Sequence, residues 1–153
     1  MNLSDIISPD TIIPNLVSRG KVPVLAELVA PLCRLNPELD SDQLVRILLE
    51  RENLGSTGIG DGIAIPHGKV DKIDRLWVSF GRSVEGIDFD SMDDKPAHLF
   101  FLLLAPEAFA GSHLTALAKL SRLLKNTSVR EQMMETDDPQ ALHRLIVDSE
   151  ESV

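Results

Sequence analysis

The chain is 153 residues long, 43% hydrophobic and 25% charged, the make-up of one ordinary globular domain large enough to bury a substantial core. Its formal net charge of −9 excludes a general nucleic-acid binder, which needs a basic face toward phosphates, and its longest purely apolar run, Leu99 to Ala105, is far too short to span a bilayer. The lone cysteine, Cys33, excludes an internal disulfide and fits a reducing cytoplasm, and the first ten residues lack the basic and apolar regions of a secretory signal.

In chain order, residues 1–19 read as a short helix followed by an extended segment ending near Pro14. Gly20 to Leu35 reads as a helix with Val22, Leu25, Leu28, Val29 and Leu32 on one face; Pro23 suits its first turn, and Pro31 is expected to kink or shorten its end. Asp40 starts a second helix, with Gln43 placed for a capping box and Leu44, Ile47 and Leu48 as its buried stripe. Arg46, Glu50, Arg51 and Glu52 fall mostly off that stripe, and Arg51 lies in the last turn, where the helix C-terminus favours a cation.

The next stretch, GSTGIGDGIAIPHGK over residues 55–69, holds five of the nine glycines. Ile63 to Ile65 reads as a short buried strand ended by Pro66, with His67 just beyond it. Leu76, Val78 and Phe80 alternate with Trp77, Ser79 and Gly81 as in a strand, whereas 83–97 is acidic and irregular. His98 to Ala105 is unbroken apolar sequence, the pattern of a strand at the centre of a covered sheet. Ser112 is placed to cap a helix running to Leu124 with Leu114, Leu117, Ser121 and Leu124 on one face and His113 in its first turn. Ser128 with Glu131 suggests a capping box for a short helix through Met134, Asp138-Pro139 opens a last helix with Leu142, Leu145 and Ile146 inward, and 149–153 reads as a frayed tail. Helices, then a few irregularly spaced strands, then helices predict a single α/β domain over 1–153, a mixed β-sheet flanked by α-helices.

The glycine-rich stretch fails the standard phosphate cradles. Gly55 and Gly60 have P-loop spacing, but Asp61 stands where lysine is required, and no third glycine completes a dinucleotide fingerprint. The four histidines, His67, His98, His113 and His143, show no paired metal-ligand spacing. What remains is His67 in a glycine-rich setting, with Arg51 upstream and His113 at a helix start. Neutral imidazole is a good nucleophile toward phosphorus, and phosphoryl transfer chiefly needs in-line positioning and donors aimed at the equatorial oxygens. Arg51 offers a planar fork, His113 and its helix N-terminus a further donor, backbone N–H groups at Gly58 and Gly68 a nest, and the Ser56 and Thr57 hydroxyls weaker donors. The residues by themselves equally permit glycines that serve only tight turns and a structural His67. A metal-dependent hydrolase using His67, Asp61 and His113 is a third reading.

Residues 48–69, LLERENLGSTGIGDGIAIPHGK, closely resemble the active-site segment of the fructose/mannitol class of EIIA proteins of the bacterial phosphotransferase system, nearest the nitrogen-regulatory, PtsN-like subgroup. Two later stretches agree: His98 to Pro106 resembles the family's central strand, and Ser112-His-Leu-Thr-Ala-Leu its second-histidine helix. The resemblance implies a mannitol-type EIIA fold. It also implies a His67 phosphorylated through Nε2 by a phospho-HPr-like carrier, and Arg51 and His113 lining that site, with no metal and no cofactor. It further implies a cytoplasmic phosphoprotein whose phosphorylation state controls transporters, kinases or other nitrogen- and potassium-related targets. The alternatives are a sugar-specific EIIA that passes the group to an EIIB for fructose- or mannitol-type uptake, and a regulatory binding module in which transfer is vestigial. None of these readings involves nucleic acid or membrane insertion. The acidic surface suits a basic protein partner by steering, or serves solubility alone.

Overall fold

The structure, a computed structural model, describes residues 2–108 and 110–151. Two short 3-10 turns, Leu3–Asp5 and Pro9–Thr11, lead into strand β1 (Ile12–Ile13). Helices α1 (Lys21–Leu35) and α2 (Ser41–Glu52) follow, then strands β2 (Gly58–Gly60), β3 (Ile63–Ala64), β4 (His67–Val70), β5 (Trp77–Ile87) and β6 (Ala97–Pro106). Helices α3 (Ala110–Leu124), α4 (Thr127–Glu135) and α5 (Pro139–Glu151) complete the chain. The strands form one six-stranded mixed sheet in the order β1-β5-β6-β3-β2, with β4 also pairing β6. β1 runs parallel to β5, β5 antiparallel to β6, and both β3 and β4 parallel to β6.

β6 explains why the layers form as they do. Its side chains alternate between two cores: Leu99, Phe101, Leu103 and Ala105 pack with Leu120, Leu123, Leu124, Met133, Leu142 and Ile146 on one face. Phe100, Leu102 and Leu104 pack with Leu25, Leu28, Leu32, Leu44 and Leu48 on the other. A strand covered on both faces has no polar side to offer, so its sequence is continuously apolar rather than alternating. Burying each of its large side chains is worth about 1.5–3 kcal/mol.

Several sequence expectations need correction. Pro31 does not break α1, which runs on to Leu35: the proline forfeits one intrahelical bond, but Pro31 and its neighbours Val29 and Leu32 are buried, and this burial holds the last turn. Val22 is 50% exposed, and Val24 takes its place in the core. Asp40 does cap α2, through Asp42 N–H rather than a box with Gln43. β5 continues to Ile87, well into the stretch expected to be irregular. In α3 the buried positions are His113, Ala116, Leu120, Leu123 and Leu124, whereas Leu114 is 69% exposed. The side chain of Ser112, expected as the cap, lies outside the described residues. α4 is capped by Asn126, whose Oδ1 accepts from Val129 N–H, which leaves Ser128 inside the helix. The first part of the expected tail is helical and held: α5 runs to Glu151, and Glu150 accepts from Leu3 N–H and pairs with Lys119 at 3.0 Å, whereas 152 and 153 lie outside the described residues.

Candidate functional site

His67 is the first residue of β4, not the residue after a finished strand. β3 and β4 lie end to end along the same edge of β6, Ile63 and Ala64 beside Leu99 and Phe100, and His67 to Val70 beside Leu103 to Pro106. Pro66 has no N–H to give, but its carbonyl accepts from Leu103 N–H, so the chain resumes pairing directly after it. Strand alternation then sends Gly68 and Val70 toward α2 and His67 and Lys69 toward α3.

The His67 ring is held at both nitrogens. Nδ1 lies 2.8 Å from the Ile65 carbonyl, which can only accept, so Nδ1 carries the proton and Nε2 presents its lone pair. Arg51, in the last turn of α2, directs Nε–H at that lone pair at 3.3 Å, while its Nη1 donates to the Gly55 carbonyl at 2.9 Å. His113, the fourth residue of α3, places its ring edge-on to His67, with centroids 5.1 Å apart and planes at 87°. It is buried, and among the described residues nothing hydrogen-bonds its Nδ1. Ile47, Arg51, Leu54, Lys69, Leu114 and Leu117 stand around these groups and complete an open cleft of about 520 Å³.

Both histidines are biased toward the neutral form. Burial, the leading cause, and the nearby Arg51 charge push His67 below the ordinary value of 6.5, against the opposing pull of the Ile65 carbonyl and Glu52. His113 is also lowered, first by burial and then by His67, Lys69 and Arg51. A neutral imidazole with a defined tautomer, an arginine fork on its free nitrogen and a second imidazole alongside make a nucleophile for an electrophile bearing negative oxygens.

The structure therefore brings together His67, Arg51, His113 and Gly68, and leaves the other expected donors elsewhere. Thr57 is buried, with its hydroxyl and N–H both committed to the Glu52 carboxylate. Ser56 donates its hydroxyl to the Phe89 carbonyl, and Gly58 is buried in β2 against Ser91. Asp61 sits at the β2–β3 turn, 3.9 Å from Arg130, and does not line the His67 cleft, so a His67–Asp61–His113 metal triad is not assembled. Among the described residues no cluster of three His, Cys, Asp or Glu is arranged to hold a metal ion. Gly68 contributes through its bareness: a Cβ there would lie 2.8 Å from Ile47 Cγ2, so glycine lets α2, and with it Arg51, approach the strand.

Sequence reasoning missed two residues here. Lys69 lies two positions beyond His67 on the same strand face, a relation visible only once 67–70 is known to be a strand. Glu52 was placed off the buried stripe, yet it is only 6% exposed. A signal was present: an acidic residue in the last turn of a helix opposes the helix dipole, so it needs a specific partner.

Comparison with known proteins bears on the chain as a whole. The family model described as "Phosphoenolpyruvate-dependent sugar phosphotransferase system, EIIA 2" matches residues 5–149. A nitrogen regulatory protein of Bradyrhizobium diazoefficiens is 38% identical over 95% of this chain and 95% of its own length. A fructose-specific EIIA component of Haloferax volcanii is 41% identical over 88% of this chain and 86% of its own. The crystal structure of the nitrogen regulatory protein IIA-Ntr from Neisseria meningitidis superposes with a TM-score of 0.88 at 32% identity, covering 94% of this chain and 98% of that one.

Proposed function

The chain belongs to the EIIA type-2 family of the phosphoenolpyruvate-dependent sugar phosphotransferase system, and from that premise we propose that it is a phosphocarrier whose His67 takes a phosphoryl group from a phosphohistidine on an HPr-like donor. The observation that carries the reading is the opposed pair of contacts on one ring, Ile65 carbonyl to Nδ1 and Arg51 Nε–H to Nε2. In the transfer, the donor's N–P bond breaks as His67 Nε2 forms a new one, and the donor ring, protonated on its other nitrogen beforehand, leaves as a neutral imidazole. The phosphorylated His67 ring retains its Nδ1 proton and gains positive charge, which the Ile65 carbonyl stabilises by accepting that N–H. Arg51 loses the lone pair it was bonded to and gains phosphoryl oxygens within reach of the same fork, so its best interactions are made as charge develops there. The buried His113 ring, beside His67, supplies a second polar group for those oxygens.

We further propose a regulatory output in the cytoplasm, in which the phosphorylation state of His67 decides whether a transporter, kinase or similar nitrogen- or potassium-related target is bound. The likeness to two nitrogen regulatory proteins supports it. The 41% identity to a fructose-specific component favours a second reading, onward transfer to an EIIB. Incubation with phosphoenolpyruvate, Enzyme I and an HPr-type carrier is expected to give acid-labile, alkali-stable label that His67→Ala abolishes. Equal labelling of that variant overturns the assignment. Discharge of the label by an EIIB selects the sugar branch, and target capture that differs between wild type and His67→Ala selects the regulatory one.

A further inference from the structure

Glu52 touches none of the reacting groups, yet four contacts converge on its carboxylate. Its Oε1 accepts from Thr57 N–H at 3.1 Å and from the Thr57 hydroxyl, and its Oε2 lies 3.2 Å from the same N–H and 3.1 Å from Lys21 Nζ. A carboxylate in the final turn of a helix faces the negative end of the dipole and, when buried, loses its hydration as well. It persists there because these donors replace water. Lys21 is itself tied down: its ammonium also pairs with Asp90 at 3.2 Å and lies 5.0 Å from the centre of the Phe89 ring. Burial pushes the Lys21 ammonium down in pKa, but hydrogen bonds to Glu52 and Asp90 more than offset this, so it stays charged.

These contacts close the segment between α2 and β2. Thr57 is held back against Glu52, while Leu54 N–H and Gly55 N–H bond to the carbonyls of Arg51 and Glu52. Ser56, next in the chain, is pinned to the carbonyl of Phe89, the residue whose ring lies under Lys21. With both ends of the turn fixed, the Gly55 carbonyl between them has one place to be, and that carbonyl grips Arg51 Nη1. The Arg51 side chain has no other hydrogen-bond partner among the described residues than this carbonyl and His67. The position of its fork is therefore set by the turn.

We propose that Glu52, seated by Lys21 and Thr57, is a positioning residue for phosphoryl transfer: it fixes the Gly55 carbonyl, which aims Arg51 at His67 Nε2. This rests on the phosphocarrier reading above, and the test separates the two. In single-turnover transfer from a phosphorylated HPr-type carrier, Glu52→Gln keeps the shape but removes the charge and one of the acceptors that Thr57 uses. Loosening the fork by about 1 Å is expected to slow transfer on the order of 10²-fold. Thr57→Val, which removes only the hydroxyl, slows transfer in the same sense, and Thr57→Ser restores most of the rate. In an Arg51→Ala background, Glu52→Gln is expected to cause no further loss, because the group it positions is gone. An undiminished rate in Glu52→Gln or Thr57→Val, or an equal fall in the Arg51→Ala background, overturns the proposal while leaving the phosphocarrier reading intact. Absence of His67-dependent label in wild type overturns that reading first. Should Glu52→Gln fail to fold, the Thr57→Val and Thr57→Ser pair, with and without Arg51→Ala, decides the matter alone.

Discussion

Arg51→Ala is the most informative single change because the structure predicts that it separates rate from stability. The side chain makes two hydrogen bonds, to His67 Nε2 at 3.3 Å and to the Gly55 carbonyl at 2.9 Å, and it is only half-buried. The first is long and its acceptor stays partly solvated at the cleft, so the ground state loses little. The second is an ordinary charged-donor bond at an exposed carbonyl, and its loss costs about 1 kcal/mol. For a chain of this length that lowers Tm by about 2–4 °C. In the transition state of the proposed transfer the fork would face a phosphoryl group with charge spread over three oxygens. Losing one preorganised donor of that kind costs about 10²- to 10³-fold in rate, or about 2.7–4 kcal/mol. Rapid-quench single-turnover labelling by the phosphorylated carrier, alongside a thermal melt, measures both quantities. Arg51→Lys, which keeps the charge and loses the fork, is expected between wild type and alanine. An Arg51→Ala rate within twofold of wild type, or a Tm loss large enough to explain the slow rate by unfolding, would refute the reasoning.

Other expectations follow from the same contacts. Because burial holds His67 and His113 below 6.5, the midpoint of the fall in transfer rate with decreasing pH should lie below 6.5; a midpoint above it contradicts the assignment. The stability sign is the same: well above 6.5 both rings are neutral folded or unfolded, but as pH approaches and passes 6.5 the unfolded chain takes up protons first, so denaturation midpoints should decline until the lowered folded values are passed. Arg82 is buried with no ion-pair partner among the described residues, and donates instead to the Pro14 and Met134 carbonyls and Asn15 Oδ1. Arg82→Met should therefore cost about 3 kcal/mol in urea unfolding by orphaning those acceptors, with transfer by the folded fraction unchanged. Gly68→Ala forces a Cβ within 2.8 Å of Ile47 Cγ2, so it should lose about 1–3 kcal/mol and slow transfer as α2 backs away with Arg51; a variant normal in both would show that the close approach is not needed.

What was legible in the sequence was whatever local pattern dictates. The apolar run after Ala97 announced a doubly covered strand, and β6 is one. Asp40 and Asp138 announced helix starts, and each accepts from a backbone N–H inside the helix it opens. His67, Arg51 and His113 stand out by motif and chemistry, and the fold brings them together from a strand, a helix end and a helix start. What was not legible depends on partners distant in the chain. The anchoring of Glu150 depends on Leu3 and Lys119, and no tail composition reveals that. The burial of Glu52 depends on Lys21, 31 positions away. In α3 the apolar residues fit two overlapping stripes, and only the docked sheet decides that Leu120 is covered and Leu114 is not.

The glycine-rich stretch changes meaning most. Taken alone it looks like a flexible cradle offering N–H groups to oxygens, but most of its glycines are spent on building the sheet edge. Asp61 and Gly62 have φ of 57° and 78°, the pair of positive values that a two-residue hairpin turn between Gly60 and Ile63 requires. Gly58 admits Ser91, whose side chain would lie 2.5 Å from any Cβ there. Gly68 admits α2. Gly55 alone presents a backbone group to the reacting side chains, and it presents a carbonyl, an acceptor that binds arginine and would repel a phosphoryl group. In the proposed transfer, phosphoryl contact then falls to other groups around the cleft, Arg51 foremost. The glycine pattern is a consequence of bringing a helix end, a hairpin and a strand edge within bonding distance of one histidine, and the preorganisation lies in how tightly those three are packed.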